Sequence, residues 1–167
     1  MMITTKKALE TATELVENWV WKTRTEKPEP NRLDVHVSSS EDLIPMTVGL
    51  RVQRLGYLAA ITGLDQGAEA GECELLYHFC TAAAIVTLRL RCPRQGAIVP
   101  SLCSVIPSAE VFEREVAEMF GITFHGLKNP GHLYLPEDWP EKTYPLLKDF
   151  NPDSLRKSHG LEIKNGD

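Results

Sequence analysis

Ile85-Val86-Thr87-Leu88-Arg89-Leu90-Arg91-Cys92 alternates without a break. Successive side chains of a strand point to opposite faces, so Ile85, Thr87, Arg89 and Arg91 fall on one side and Val86, Leu88, Leu90 and Cys92 on the other. Strands buried on both faces run apolar throughout, whereas a half-buried antiparallel strand shows this period of two. The stretch therefore predicts a sheet with one packed face and one that meets water. Tyr57 to Gly63 and Cys73 to Cys80 are also of strand length, joined by the acidic, Gly-containing loop Asp65 to Glu72. Arg32 to Val37 alternates as well, with Leu33, Val35 and Val37 inward against Asp34 and His36 outward.

Helices bracket these strands. From Thr5 to about Arg24, Leu9, Ala12, Leu15, Val16, Trp19 and Val20 recur at three- and four-residue spacings, with Glu10, Glu14 and Glu17 opposite them. Pro28 and Pro30 break that helix. Ser38 to Ser40, followed by Glu41 and Asp42, supplies an N-cap and acidic first turn for a second helix to about Leu55, closed by Gly56, with Pro45 near its start. Pro93 to Pro100 reads as a turn or short edge strand. Ser108 then caps a third helix from about Ala109 to Phe120, closed by Gly121.

These elements give an α+β fold: a small, mostly antiparallel sheet with flanking helices and an extended Pro-rich C-terminal tail. The expected division is an α+β domain over 1–125 and a tail over 126–167. Pro130, Pro136, Pro140, Pro145 and Pro152 leave no room for an ordinary helix. Yet the chain beyond Gly121 carries Phe124, Leu133, Tyr134, Leu135, Trp139, Tyr144, Leu146, Leu147 and Phe150, too many large apolar groups for a free linker. It must lie on its own domain or on a partner. Only Ser154 to Asp167 is polar enough to fray.

Composition narrows the function classes. Lys plus Arg number 18 against 23 Asp plus Glu in 167 residues, a net charge of −5, and 43% of residues are hydrophobic. A real core is expected, disorder is not, and nucleic acid is a poor main partner for an acidic chain. No apolar run approaches the roughly 18 residues of a membrane span, and the start lacks the apolar stretch of a signal peptide, so a cytoplasmic protein is expected. Cys73, Cys80, Cys92 and Cys103 form no C-x-x-C pair and read as small core hydrophobes. Neither a P-loop nor H-E-x-x-H occurs.

The third helix holds the most specific string, Glu113-Arg114-Glu115-Val116-Ala117-Glu118-Met119-Phe120-Gly121-Ile122. Phe112, Val116 and Phe120 share one stripe, and Arg114, one turn from Glu110 and Glu118, can bridge both. After it come Leu135-Pro136-Glu137-Asp138-Trp139 and Tyr144-Pro145-Leu146-Leu147-Lys148-Asp149-Phe150. These three ordered motifs resemble the signature of the 30 kDa, or C, subunit family of respiratory complex I, which includes related subunits of membrane-bound nickel–iron hydrogenases. The likeness is close over Ser108 to Phe150 and compatible with the order of elements upstream. Leu127, Gly131-His132 and Leu147 stand where that family usually carries basic residues.

The resemblance implies a subunit of an NADH-quinone oxidoreductase type complex that is not catalytic alone and binds no cofactor or metal itself. NADH or another donor, iron–sulfur clusters, and quinone or a nickel–iron site would sit on partner subunits. It would lie peripherally on the cytoplasmic side, meeting the membrane only through partners, and pack on the large 49 kDa-type or hydrogenase large subunit. The equivalent subunit of an energy-converting hydrogenase or formate hydrogenlyase is the alternative. The implied signature or interface residues are Glu113, Arg114, Glu115, Glu118, Met119, Phe120, Gly121, Pro136, Glu137, Asp138, Trp139, Pro145, Lys148 and Asp149.

Each cluster also has a plainer reading. Glu113, Glu115 and Glu118 do not converge around a helix, which favours a solvated or partner-facing set over a proton relay. His125 and His132 lack companion ligands and read as hydrogen-bonding loop residues. Arg89, Arg91 and Arg94 form either a solvated edge or a docking patch for an acidic neighbour, and Trp139 either an interface anchor or part of a tail folded back. A free-standing enzyme using the carboxylates and histidines would need them gathered in a concave pocket. A metal carrier would need bound iron or zinc.

Overall fold

The computed structural model describes residues 4–19, 23–153 and 155. Helix α1 spans Thr5–Glu17; the Thr4 hydroxyl accepts from the Lys7 N–H at 3.3 Å, and Ala8, Ala12 and Val16 are buried along one stripe. It stops short of Arg24 because Asn18 closes it, donating its backbone N–H and, at 2.7 Å, its side-chain amide to the Glu14 carbonyl. Val20 lies outside the described residues, as does the polar end expected to fray, Leu155 apart. Arg24–Glu26, expected at the helix end, is instead strand β1, antiparallel to β2 at Arg32–Val37.

The Ser39 hydroxyl caps a 3-10 turn over Ser40–Asp42, which leads into α2 at Leu43–Val52. That helix ends before Leu55. Arg54 turns into the left-handed region, letting the Leu55 N–H reach back to the Leu50 carbonyl at 2.9 Å. Strands β3 (Tyr57–Asp65), β4 (Glu72–Thr81) and β5 (Ala84–Pro93) form an antiparallel meander. The five-stranded sheet runs β1-β2-β5-β4-β3, with β2 parallel to β5 and the other pairs antiparallel. This is the α+β, mostly antiparallel fold expected, with one parallel pair.

The alternation of 85–92 holds except at Thr87: Val86, Leu88, Leu90 and Cys92 are buried in the core while Ile85, Arg89 and Arg91 stay at least partly exposed, but Thr87, expected to meet water, is fully buried with its hydroxyl 3.1 Å from His78 Nδ1. Asp34 departs from expectation. It is only 2% exposed, because Arg32 and Arg89 close over its carboxylate. Arg89 also grips Glu74 bidentately at 2.9 and 2.8 Å, so this polar face of the sheet is tied by charge-assisted bonds and not left to water. Arg91 stays exposed and pairs loosely with Glu72 at 3.5 Å.

Beyond the sheet, β6 (Ile98–Pro100) runs parallel to β7 (Thr123–His125) in a separate two-stranded ribbon. Helix α3 lies between them in sequence at Ala109–Phe120. The Ser108 side chain makes no capping bond, contrary to its expected role, whereas Gly121 closes the helix in the left-handed conformation, φ +76°. α1 packs on β2 and β5, and α3 on β3. At that crossing Gly63 leaves room for the Phe120 ring, which a Cβ there would meet at 2.5 Å.

Candidate functional site

The helix α3 string and the two downstream motifs meet in space. Glu113 points inward and is fully buried. Its carboxylate accepts from the Ser101 hydroxyl and the Leu102 N–H, both at 2.6 Å, and from the Cys103 thiol at 3.5 Å. The glutamate thereby organises the 3-10 turn Leu102–Ser104, whose first N–H groups have no partner within the turn. Burial pushes its pKa up, against the downward pull of the Ser101, Leu102 and Cys103 bonds. Tyr77 is buried nearby, and its phenol is held well above its ordinary range by burial first and the Glu113 charge second.

Glu118 points the other way. The backbone N–H groups of Leu133, Tyr134 and Leu135 converge on its carboxylate at 2.9, 2.9 and 3.3 Å, and His132 Nδ1 lies 3.4 Å away. Burial acts to raise this carboxyl, but the three amides and the imidazole outweigh it and the net shift is downward. Arg114 bridges neither Glu110 nor Glu118, the partners that helical spacing offers it. Its guanidinium donates to the carbonyls of Gly131 and His132 at 3.1 and 2.7 Å, because the returning chain brings those carbonyls within its reach. The expectation of a solvated or partner-facing carboxylate set thus fails for Glu113 and Glu118, which are 0% and 8% exposed. Of the three, Glu115 alone is not buried.

The chain after β7 lies along α3 and the end of β3. The Met119 carbonyl accepts from the Leu146 N–H at 3.2 Å. The Tyr144 ring sits over Gly121 in the space a Cβ would occupy, a second reason for glycine besides its φ. The Pro136 carbonyl accepts from the Trp139 N–H at 3.1 Å, and the indole N–H donates to the Thr143 carbonyl at 2.7 Å. Trp139 packs against Phe150 with ring centroids 6.4 Å apart. Glu137 and Asp138 are exposed, and Pro145 is half-buried.

At the far end stands a group of residues the sequence did not single out together. Asp65, closing β3, accepts from Arg94 Nε at 2.8 Å and Nη2 at 3.0 Å, from the Gly67 N–H at 2.9 Å and from the Lys148 N–H at 2.7 Å. Arg94 also binds Asp149. Its guanidinium holds the Asp65 carboxyl far below the usual range despite opposing burial, and likewise lowers Asp149. Arg94, expected on a solvated edge or docking patch, is 7% exposed and joins body to tail. A buried arginine needs acceptors, and Asp65, the carboxylate that closes β3 two strands earlier, is one.

Two adjoining grooves of about 760 and 440 Å³ run between these segments and share Gly121, Thr123, Lys142, Thr143 and Tyr144 in their walls. Of the charged groups that reach them, Arg94, Asp149, Glu118 and His132 already bind one another or the backbone. Among the described residues no three His, Cys, Asp or Glu side chains gather as a metal ion would need, and no helix is long and apolar enough to cross a membrane. The arrangement can clamp a chain.

Residues 35–155 match the family model described as the respiratory-chain NADH dehydrogenase 30 kDa subunit. The C subunit of the NADH-quinone oxidoreductase of Dinoroseobacter shibae is 42% identical over 94 residues, 56% of this chain and 43% of that one. That of Ruegeria pomeroyi is 36% identical over 119 residues, covering 71% and 58%. The chain thus spans about half the length of these curated relatives. The J subunit of the NAD(P)H-quinone oxidoreductase from the Paulinella chromatophora chromatophore is 32% identical, with 75% of each chain covered. In fold, a chain of the membrane-bound sulfane sulfur reductase, an archaeal respiratory membrane complex, matches over 96% of both chains with TM-score 0.75 at 22% identity. The trypsin-resistant fragment of Nqo5 matches over 74% of this chain and 97% of its own, TM-score 0.57, at 20% identity. The family model's match over residues 35–155 and the identity to these relatives show that the chain belongs to the 30 kDa subunit family of the respiratory-chain NADH dehydrogenase.

Proposed function

We propose that this chain is a non-catalytic peripheral-arm subunit of a complex I-like, membrane-associated oxidoreductase of the NADH-quinone type. It supports assembly and docks the large catalytic subunit, on the cytoplasmic side, for electron transfer coupled to ion translocation. The donor, the iron–sulfur clusters and the quinone or nickel–iron site belong to partner subunits. One observation carries this reading: of the four charged signature groups on α3, all but Glu115 are spent on holding the chain in place. Glu113 binds a turn, Glu118 three consecutive amides, Arg114 two carbonyls, and Asp149 the arginine that also grips β3. A proton relay or active site would need such groups free to exchange partners with a substrate. A scaffold needs them fixed.

In this reading residues 1–125 form a body and 126–167 an arm laid on it or on a partner. The equivalent subunit of an energy-converting membrane-bound hydrogenase or formate hydrogenlyase is a second reading; the fold match to a chain of the membrane-bound sulfane sulfur reductase shows only that this fold also occurs in another respiratory membrane complex. The test is affinity capture of the tagged protein from gently solubilised host membranes with mass spectrometry of what co-purifies. A large subunit with cluster-bearing and membrane partners is expected, and the donor module found names the branch. A protein recovered alone and monomeric would overturn the proposal in favour of a free-standing enzyme.

A further inference from the structure

Helix α3 commits Glu113 and Glu118 inside the molecule and leaves Glu115 outside. The Glu115 side chain, half-buried at the helix surface, makes no hydrogen bond or ion pair with any described residue. It occupies the middle of a stripe in which Val111 lies one turn before it and Met119 one turn after, residues four apart sharing a helix face. Val111 is 47% exposed, and Met119 is half-buried, packed in part against the core. The arm adds to the same stripe: the Tyr134 N–H is bound to Glu118 and the Leu146 N–H to the Met119 carbonyl, yet their side chains remain 63% and 54% exposed. Large apolar side chains gathered at one place and left to water mark an interaction surface. Beside Glu115 and Tyr134 the balance is acidic, since Glu137 and Asp138 are exposed just beyond Tyr134 and Arg114 is turned to the Gly131 and His132 carbonyls, while the exposed Lys142 and Lys148 flank only Leu146 in sequence.

We propose that Val111, Glu115 and Met119 of α3, with Tyr134 and Leu146 of the arm, form a preformed docking surface for a basic, apolar segment of a partner protein. A lysine or arginine of that segment meets Glu115 while its apolar neighbours cover Tyr134 and Leu146. This inference rests on the subunit reading above and adds where the partner sits and what chemistry it brings. Complementary charge sets the register of such a contact, and the surrounding apolar cover strengthens it by excluding water. The arm's position is already fixed by the Glu118 and Arg94 contacts, so little ordering entropy remains to oppose binding. The acidic rim repels anionic lipid and nucleic acid alike.

The experiment places p-benzoylphenylalanine at position 111 of the tagged full chain, expressed in its host. Gently solubilised membranes are irradiated, and the cross-linked peptide is sequenced by mass spectrometry with and without Glu115→Lys. The expected result is a cross-link to one partner segment carrying a lysine or arginine among apolar residues, reduced about tenfold or more by Glu115→Lys. Amide-exchange protection of residues 133–135 should stay unchanged in that variant, which shows that the arm is in place. A cross-link to an acidic segment, to a second copy of this chain or to lipid overturns the inference. So does a cross-link indifferent to Glu115→Lys, or co-purifying partners with no cross-link at all; in those cases the subunit reading stands. Absence of any co-purifying partner removes both.

Discussion

Glu113 and Glu118 stand five residues apart on one 12-residue helix, and the two regions they serve treat the same side chain in opposite ways. On the inner side Glu113 meets one hydroxyl, one amide and a thiol, and burial prevails: its carboxyl is pushed up. On the side that meets the arm, Glu118 meets three amides and an imidazole, and the donors prevail: its carboxyl is pulled down. The number and strength of donors against the depth of burial decides the sign, not the residue type. Glu113 thus behaves as part of the body's core, and Glu118 as the ionic anchor of a segment that has almost no secondary structure of its own.

The most forceful way to break this comparison is to truncate both. Glu113→Ala leaves the Ser101 hydroxyl and the Leu102 N–H unmet inside the body. An unmet buried group costs about 1–3 kcal/mol, so roughly 3 kcal/mol of global stability should be lost. Glu118→Ala should cost clearly less globally and act instead on amide exchange of residues 133–135, because the amides it holds belong to the arm and not to the sheet. Urea denaturation of both variants measures this. Equal losses of global stability would mean that body and arm fold as one unit.

The opposite shifts also set opposite pH dependences. Glu118 has a folded pKa below its unfolded one, so its contribution is present above the unfolded value and is lost as pH falls through the folded value. Asp65 acts in the same sense. For Glu113 the folded pKa lies above the unfolded one, so its contribution is complete below the unfolded value and is lost as pH rises through the folded value. Comparing urea midpoints between about pH 3 and 8, the deficit of Glu118→Gln relative to the parent should shrink toward acid. Glu113→Gln should instead gain on the parent as pH rises. Two gaps that move in the same direction would contradict the assigned environments.

How much of this was legible in the sequence follows from how far apart the interacting residues lie. The alternation of 85–92 and the α3 boundaries needed only neighbours at periods of two and about four, and both appear in the structure. That the tail carries too much apolar surface for a linker was also readable, but not where it would rest. Arg94 finds Asp149 55 residues away and Asp65 29 away, and Asp34 finds Arg89 across a parallel pair. Each of these charges, taken alone, looks like a solvated surface group. Arg114 shows the limit most directly. Helical spacing favours Glu110 or Glu118, worth only a few tenths of a kcal/mol when exposed, but Glu110 binds Asn129 and Glu118 the arm's amides, and the guanidinium meets the carbonyls that the arm delivers. Strand β1, three residues long, carries too little pattern to stand out against the helix before it.

The smallest expected effect sharpens the comparison most. Glu115 lies between the two committed carboxylates in sequence and has no partner among the described residues. A surface group that makes no bond leaves stability within about 0.5 kcal/mol when truncated, so Glu115→Ala should match the parent in urea midpoint and in amide exchange along the arm. A larger loss would show that Glu115 holds this fold together as Glu113 and Glu118 do, and the docking role assigned to it would lose its basis. With stability unchanged, any fall in captured partner has to arise at the contact itself. The helix then divides the work among its three signature carboxylates, with one holding the body, one holding the arm, and one kept for a neighbour.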